Sequence, residues 1–264
     1  MPQGSAASPP QVVAHRGSSD AQAEHTLAAY RQAVREGAGA LECDVRLTAD
    51  GHLVCLHDRR VERTSDGHGV VSSLELADLH DLDFASWKGI NNEAPEYDDE
   101  TRRVLTLERL LDMVATANRR VELAIETKHP TRYAGLVERR LIELLRAYGW
   151  DGSSADSPVR VMSYSWTSLR RVNEGAPGLP TVYLMDRVPL RLRDGSLPRG
   201  TRIAGISIRT ARAYPYLVSR MHQRGNQVHV FTVNDPVDVQ LCRNLAVEAI
   251  ITDRPGYVRS LLEA

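Results

Sequence analysis

Polar residues that could carry out chemistry follow apolar stretches at three places in the first sixty residues. His15 and Arg16 come first, Glu42 and Asp44 second, and His57 third. Burying a carboxylate without a partner is costly, so two carboxylates at the end of one apolar stretch imply a cation beside them. Two imidazoles nearby are suited to proton transfer near neutral pH. The pattern therefore predicts metal-assisted acid–base chemistry.

A fourth apolar stretch adds a third carboxylate. Glu126 follows this stretch and, because side chains alternate along a strand, faces the same side as Lys128. With Glu42 and Asp44 it offers three oxygen ligands for a hard divalent cation, Ca²⁺ or Mg²⁺. No cluster of cysteine and histidine with the spacing of a zinc site competes. The alternative is that these carboxylates form structural salt bridges with Arg16, Arg46 or Lys128.

We expect His15 and His57 to transfer protons, and Arg16 and Lys128 to bind a phosphate group. Arginine can hold two phosphate oxygens, and lysine acts as a point charge. Lys88 and Lys128 are the two lysines among 33 basic residues, so a lysine at position 128 indicates a need for a compact ammonium group. The competing interpretation is structural, with strand-end histidines that are capped or exposed and a salt bridge for Arg16.

Short β-branched stretches alternate with amphipathic helical segments and would position these residues. This alternation predicts a (β/α)₈ TIM barrel, whose functional side chains lie at the carboxyl ends of its strands. An open doubly wound sheet is the competing architecture, but no glycine-rich phosphate loop follows the first strand. The predicted strands span residues 12–16, 39–46, 52–57, 121–127, 159–164, 180–185, 203–208, 227–233 and 248–252.

Nine strands are one more than a barrel needs. Strands 39–46 and 52–57 are separated by too few residues for a parallel crossover, so they are expected to form a hairpin. With Asp50 and Gly51 as its two-residue loop, Asp44 would lie opposite His57. Residues 58–103 then break the alternation and are expected to form a small insertion after the third strand, over the mouth of the barrel. Residues 1–264 are expected to be a single domain.

Composition excludes several classes of protein. The 33 basic and 34 acidic residues nearly balance, so no overall positive field would attract nucleic acid or an anionic membrane. No stretch approaches the roughly 20 apolar residues that span a bilayer, which argues against integral membrane association. Residues 1–10 do not resemble a signal peptide. Three cysteines without metal-ligand spacing indicate a reducing compartment, and we expect a cytoplasmic protein.

A set of short motifs extends from about residue 12 to residue 255. In order, they are His15-Arg16-Gly17, Glu24-His25-Thr26, Glu42-Cys43-Asp44-Val45, Thr48-Ala49-Asp50-Gly51, His57-Asp58, Arg63-Thr64, Gly67-His68-Gly69, Leu105-Thr106-Leu107-Glu108, Glu126-Thr127-Lys128, Phe231-Thr232-Val233-Asn234 and Thr252-Asp253-Arg254-Pro255. In order and spacing this set resembles the glycerophosphodiester phosphodiesterases. Single motifs such as His-Arg-Gly are weak, whereas the ordered set is highly specific.

The resemblance implies a fold, a reaction and a set of site residues. The fold is a TIM barrel with a small insertion after the third strand, and the reaction is hydrolysis of glycerophosphodiesters to glycerol 3-phosphate and an alcohol. The metal, Ca²⁺ or Mg²⁺, would be bound at the family's acidic positions, and the family's paired histidines and phosphate-binding basic residues have counterparts here. These counterparts are Glu42, Asp44 and Glu126 for the metal, His15 and His57 for catalysis, and Arg16 and Lys128 for phosphate.

Two positions depart from the family pattern. His25 replaces the usual Asn, which would either order the loop before the first helix or touch the substrate. Without the resemblance, His25 would be taken for a surface or packing residue. Phe231 replaces the usual Trp, which keeps an apolar wall for the glycerol group but removes an indole donor.

The sequence is also compatible with two other functions. A lysophospholipase D-like or sphingomyelinase D-like activity on the same barrel would need a long apolar groove, for which the insertion offers Phe84, Trp87 and Tyr97. A non-catalytic phosphoester-binding protein would be expected to lose a histidine or a metal-binding carboxylate. The sequence also leaves open the alcohol group, the native ion and the oligomeric state.

Overall fold

The computed structural model describes residues 9–89 and 102–263, in which the chain forms nine strands. All nine lie within two residues of their predicted bounds, because β-branched stretches end at glycine, proline and polar turns. The strands are β1 (Gln11–His15), β2 (Ala40–Leu47), β3 (Leu53–Cys55), β4 (Glu122–Thr127), β5 (Val159–Ser163), β6 (Thr181–Met185), β7 (Ile203–Ser207), β8 (Gln227–Phe231) and β9 (Ala249–Thr252).

Eight of these strands run parallel and close into a barrel. β1 pairs with both β2 and β9, which joins the two ends of the sheet, and β3 is the additional strand, antiparallel to β2. The predicted TIM barrel is therefore confirmed.

Helices cover the outside of the barrel. The helices are α1 (Leu27–Arg35), α2 (Leu76–His80), α3 (Leu107–Ala115), α4 (Leu136–Ala147), α5 (Trp166–Gly175), α6 (Ile208–Ala213), α7 (Tyr216–Gln223), α8 (Pro236–Asn244) and α9 (Pro255–Glu263), with 3₁₀ turns at Val71–Ser73, Ser86–Lys88 and Leu190–Leu192. Hydroxyl side chains begin several of them: Thr26 accepts a hydrogen bond from the N–H of Ala29, and Thr106 from that of Arg109. None of the helices in the described ranges combines the length and the apolar character needed to cross a bilayer.

Alternation along β2 determines which side chains reach the barrel interior. Leu41, Cys43 and Val45 pack outward against the helices, whereas Ala40 belongs to the apolar layer inside the barrel. Glu42 and Asp44 share the face of Ala40 and therefore point inward above that layer. At the opposite, amino-terminal end, Arg160 closes the interior through hydrogen bonds to Glu122 and Gln11, both 2.9 Å long.

The register of the β2–β3 hairpin differs by one residue from the prediction. Val45 pairs with Cys55 and Leu47 with Leu53, which places Asp44 opposite Leu56 rather than His57. The N–H of Thr48 donates to the carbonyl of His52, so the loop contains three residues, including Gly51 with φ +91°. The extra loop residue shifts the register, so His57 reaches the site from beyond the end of β3.

Apolar side chains from residues 61–84, within the predicted insertion, form a small core together with the end of β3. Phe84 is buried in this core, and the indole of Trp87 donates to the Phe84 carbonyl at 3.0 Å. Neither aromatic side chain lines the central cavity, and Tyr97 lies outside the described residues. The core consists of Val54, Leu56, Val61, Val71, Leu79, Phe84 and Val104.

Candidate active site

Three carboxylates converge at the carboxyl ends of β2 and β4. Asp44 is the register partner of Glu126, and Glu42 lies two residues before Asp44 on the same face. One oxygen from each carboxylate lies within 4.8 Å of the others, and all three side chains are buried. Such a set of hard oxygen donors could hold a divalent metal ion.

Two cations lie against these carboxylates. Lys128 Nζ is 2.7 Å from Glu126 Oε1 and 3.2 Å from Asp44 Oδ1, and Arg16 Nε is 3.0 Å from Asp44 Oδ2. Glu42 accepts a main-chain hydrogen bond from Arg16 at 3.1 Å, but it forms no ion pair with any cation in the described ranges. When all three carboxylates are ionised they outnumber the two cations, and a metal ion would balance the remaining negative charge.

Arg16 and Lys128 therefore form the salt bridges that the structural alternative expects, whereas Arg46 does not pair with these carboxylates. Arg46 instead donates from Nε and Nη2 to the main-chain carbonyl of His57, at 3.0 and 2.6 Å. This bond ties the segment after β3 to β2 and positions His57 at the site.

The charges shift the carboxyl pKa values in opposite directions. Burial and the neighbouring Asp44 raise the pKa of Glu42 well above its usual range, and they raise that of Glu126 to about 8. Burial acts in the same direction on Asp44, but hydrogen bonding to His25 and the charges of Lys128 and Arg16 outweigh it and hold its pKa well below the usual range. Negative charge therefore concentrates on Asp44 when the site holds no metal.

Each of the two predicted catalytic histidines is hydrogen-bonded to a carboxylate. His15 Nδ1 lies 2.6 Å from Asp253 Oδ1, and His57 Nδ1 lies 2.6 Å from Asp58 Oδ1. Both imidazoles line the central cavity. Because each carboxylate occupies Nδ1, Nε2 is the ring nitrogen that each histidine can offer to a substrate.

The carboxylate beside His15 is itself well supported. Asn234 donates to Asp253 Oδ2 at 2.7 Å, and Ser19 donates to Oδ1 at 3.0 Å. Burial alone would raise the pKa of Asp253, but its hydrogen bonds with His15, Asn234 and Ser19 lower it to about 2. Asp253 is thus an ionised partner that holds the His15 ring in orientation.

A second network links Arg16 to the carboxylate beside His57. Arg16 Nη1 donates to Glu24 at 3.0 Å, and Arg63 donates to the same carboxylate from both terminal nitrogens, at 2.9 and 2.7 Å. Arg63 Nε in turn donates to Asp58 at 2.5 Å. The network holds Arg16 and Asp58 in fixed relative positions.

A model of the glycerophosphoryl diester phosphodiesterase family matches residues 15–257. The chain belongs to this family. It is 43% identical over 257 residues to the probable glycerophosphodiester phosphodiesterase 1 of Mycobacterium tuberculosis, covering 96% of this chain and 93% of that protein. It is 31% identical over 252 residues to the glycerophosphodiester phosphodiesterase of Bacillus subtilis, covering 92% of this chain and 83% of that protein. The family resemblance seen in the motifs is confirmed.

Solved structures of the same kind share the barrel. An Oleispira antarctica phosphodiesterase, solved in complex with its product sn-glycerol-3-phosphate, matches with a TM-score of 0.82 and 25% identity, covering 97% of this chain and 98% of that one. A putative glycerophosphoryl diester phosphodiesterase from Silicibacter pomeroyi matches with a TM-score of 0.81 and 23% identity, covering 97% of this chain and 93% of that one. The likeness extends over the whole barrel.

His25, at the position where this phosphodiesterase family usually has Asn, touches the acidic cluster. It is buried in the left-handed region at φ +61°, with Nε2 2.9 Å from Asp44 Oδ2 and Nδ1 2.8 Å from the Tyr30 hydroxyl. The expectation of a surface or packing residue was therefore incomplete, because His25 hydrogen-bonds a candidate metal ligand. This backbone conformation is one that Asn and His adopt more readily than most residues.

Phe231, the second departure from the family pattern, forms an apolar wall. It packs edge-on against Tyr164, with ring centroids 6.1 Å apart, and lines a cavity of about 1000 Å³ above the barrel. The cavity also contains His15, Arg16, Glu42, His57, Glu126 and Lys128. Seven of the eight predicted site residues thus face one space, and the eighth, Asp44, contacts Arg16 and Lys128 of that set.

Proposed function

We propose that this chain hydrolyses glycerophosphodiesters to glycerol 3-phosphate and an alcohol, with Ca²⁺ or Mg²⁺ bound. The observation that carries the proposal is the placement of two carboxylate-paired imidazoles, His15 and His57, on one cavity with the buried acidic cluster. Membership of the family supports the same reaction.

Glu42, Asp44 and Glu126 would hold the ion. Their oxygen donors suit a hard cation. Burial and the charge of Asp44 raise the pKa values of Glu42 and Glu126, and a bound cation would favour their ionised forms. When bound, such an ion polarises a phosphoryl oxygen and stabilises the charge that grows on it in the transition state. Among oxygen-preferring ions, both Ca²⁺ and Mg²⁺ are compatible with this donor set.

Arg16 and Lys128 would bind the non-bridging oxygens of the phosphate. Both cations lie in contact with Asp44 at the base of the cavity, so they are already oriented before a substrate arrives. Preorganised donors of this kind lower the barrier without rearranging during the reaction. Phe231 would pack against the carbon backbone of the glycerol group.

The two imidazoles would transfer protons in both steps of the reaction, which are attack by the glycerol 2-hydroxyl and ring opening by water. One Nε2 accepts the proton of the glycerol 2-hydroxyl, whose oxygen attacks phosphorus, while the bond from phosphorus to the alcohol oxygen breaks. The other histidine, which begins this step protonated, gives its proton to that departing oxygen. The product of this step is a cyclic glycerol phosphate; water then opens the ring with the roles of the two histidines reversed.

The buried cysteines favour the expected cytoplasmic location. Cys43, Cys55 and Cys242 are all free thiols. A reducing compartment keeps such thiols from oxidising.

The proposal is tested by measuring glycerol 3-phosphate release from glycerophosphocholine, -ethanolamine, -glycerol and -inositol after chelation and add-back of each ion. We expect turnover that depends on the ion and is lost in His15→Gln and in His57→Gln. Binding of these diesters without turnover would instead support a non-catalytic phosphoester-binding protein. Faster choline release from lysophosphatidylcholine than from glycerophosphocholine, measured in parallel, would support the lysophospholipase D-like alternative.

A further inference from the structure

Three arginines line the outer part of the central cavity, away from the acidic cluster. Arg187 follows β6, Arg193 follows the 3₁₀ turn at Leu190–Leu192, and Arg209 lies in the first turn of α6 after β7. The connections after β6 and β7 therefore place three guanidinium groups on one wall. In a TIM barrel the loops at the carboxyl ends of the strands form the active site, and they vary between enzymes of different specificity.

These arginines lack the carboxylate partners that arginines elsewhere at the mouth possess. Arg16 and Arg63 are both paired with Glu24, whereas none of the three outer arginines forms an ion pair within the described ranges. Arg193 Nε is moreover buried without a hydrogen-bond partner, and its guanidinium lies 5.4 Å from the centroid of the Tyr214 ring. Burying an N–H donor of a charged group without an acceptor costs free energy, which a ligand that accepts this hydrogen bond would recover.

The same wall contains little negative charge. Among the described residues of the outer wall, Asp186 carries the one carboxylate. The Tyr164 hydroxyl donates to it at 3.2 Å. Three cations against one carboxylate give this wall an excess of positive charge, in a chain whose total charge is nearly balanced. A concave site lined by one sign of charge concentrates ligands of the opposite sign.

We propose that the outer wall is a subsite for a second anionic group, carried by the alcohol part of the substrate. This inference rests on the proposed function, because the acidic end of the cavity then takes the scissile phosphate and the outer wall can meet only the rest of the molecule. Arginine binds phosphate and carboxylate oxygens through two parallel hydrogen bonds, which Arg187, Arg193 and Arg209 are free to form. A cationic alcohol such as choline would be repelled.

The most direct test compares two diesters that differ in one phosphate group. The kcat/KM for glycerophosphoinositol 4-phosphate should exceed that for glycerophosphoinositol by at least about tenfold, the value of one well-formed hydrogen bond to a charged group. The ratio should fall as salt is added, because the attraction is partly exposed to solvent. In the Arg187→Ala/Arg209→Ala double variant, which keeps Arg193, the ratio should fall by about threefold or more.

Arg199→Ala/Arg202→Ala is the matched control, since both side chains are exposed and neither lines the cavity. It should keep the wild-type ratio. A wild-type ratio near one, or a ratio that the Arg187/Arg209 substitutions do not change, would overturn the subsite. If no diester is hydrolysed, the proposed function fails, and the subsite is then tested by calorimetric Kd values for the same two diesters. Tighter binding of the phosphorylated diester supports the subsite. Equal Kd values overturn it.

Discussion

The imidazole of His25 lies 2.9 Å from the carboxylate of Asp44, at a position with almost no solvent exposure. Burial lowers the pKa of His25, so the ring is neutral at physiological pH. An ionised carboxylate can only accept hydrogen bonds, so Nε2 carries the proton and donates to Asp44. The Tyr30 hydroxyl donates to the main-chain carbonyl of Glu42 at 3.1 Å and lies 2.8 Å from His25 Nδ1, which fixes the ring orientation. His25 and Tyr30 thus hold a candidate metal ligand in place from behind.

We predict that His25→Ala weakens Mg²⁺ or Ca²⁺ binding by about 10–100-fold, the usual effect of removing an outer partner of a metal ligand. His25→Asn should recover part of the affinity, because Asn tolerates the left-handed backbone and can donate a hydrogen bond. Calorimetric titration of the ion into chelator-treated protein measures both. His68→Ala, at an exposed histidine, is the control and should bind like the wild type. Unchanged affinity in His25→Ala would contradict this role.

Asp253→Asn should reduce kcat by about 100-fold or more while leaving KM nearly unchanged, if His15 transfers a proton in the reaction. The reason is that the carboxylate at 2.6 Å from Nδ1 holds the ring in orientation, with Nε2 towards the cavity. Steady-state kinetics on a glycerophosphodiester separates the two parameters. The exposed Asp156 offers a control, since Asp156→Asn should not change either. A rise in KM alone would mean that Asp253 acts in binding rather than through His15.

His57 should make the metal-free protein less stable in mild acid. Burial and the nearby cations Arg16 and Lys128 lower its pKa in the folded state to about 4, below the value of about 6.5 in an unfolded chain. As pH falls from about 6.5 to about 4, the unfolded state takes up a proton that the folded state does not, so the free energy of unfolding decreases. Urea denaturation at pH 7 and pH 5 should show a smaller decrease for His57→Gln than for the wild type. Equal decreases would show that His57 is not responsible.

Glu122→Ala should destabilise the barrel by about 2 kcal/mol, less than the loss of a fully buried pair, because the Glu122 side chain is 33% exposed. Arg160 is almost fully buried at the amino-terminal end of the barrel and would lose its carboxylate partner at 2.9 Å. Glu143→Ala removes half of an exposed pair with Arg140 and should cost less than about 1 kcal/mol. Chemical denaturation compares the two variants. Similar losses would mean that water solvates Arg160 in the variant.

Most of the barrel could be predicted because its signals are local. Each strand is a short apolar stretch next to a turn, and two-residue alternation alone places Glu42 with Asp44 on one face. The β2–β3 register was harder to predict, because the sequence around Asp50 and Gly51 is compatible with both a two-residue and a three-residue loop. That single loop residue decides whether Asp44 faces Leu56 or His57.

The parts of the site that were missed depend on contacts between distant segments. Asp253 meets His15 across 238 residues of sequence, and Glu24 meets Arg63 across 39. The role of His25 had a local signal, since it replaces an Asn in the motif before α1, but its contact with Asp44 depends on how that loop folds back. The outer arginines had no signal, because a chain with 31 arginines among 33 basic residues does not mark any one of them.

The central claim is that two imidazoles and a metal-binding acidic cluster hydrolyse a glycerophosphodiester in one cavity. A ³¹P NMR time course with Mg²⁺ or Ca²⁺ tests it most directly. We predict that the diester signal is replaced by that of glycerol 3-phosphate in the wild type, and persists in the His15→Gln/His57→Gln double variant and after chelation. Conversion by the double variant at the wild-type rate, or no conversion by the wild type with either ion, would contradict the account.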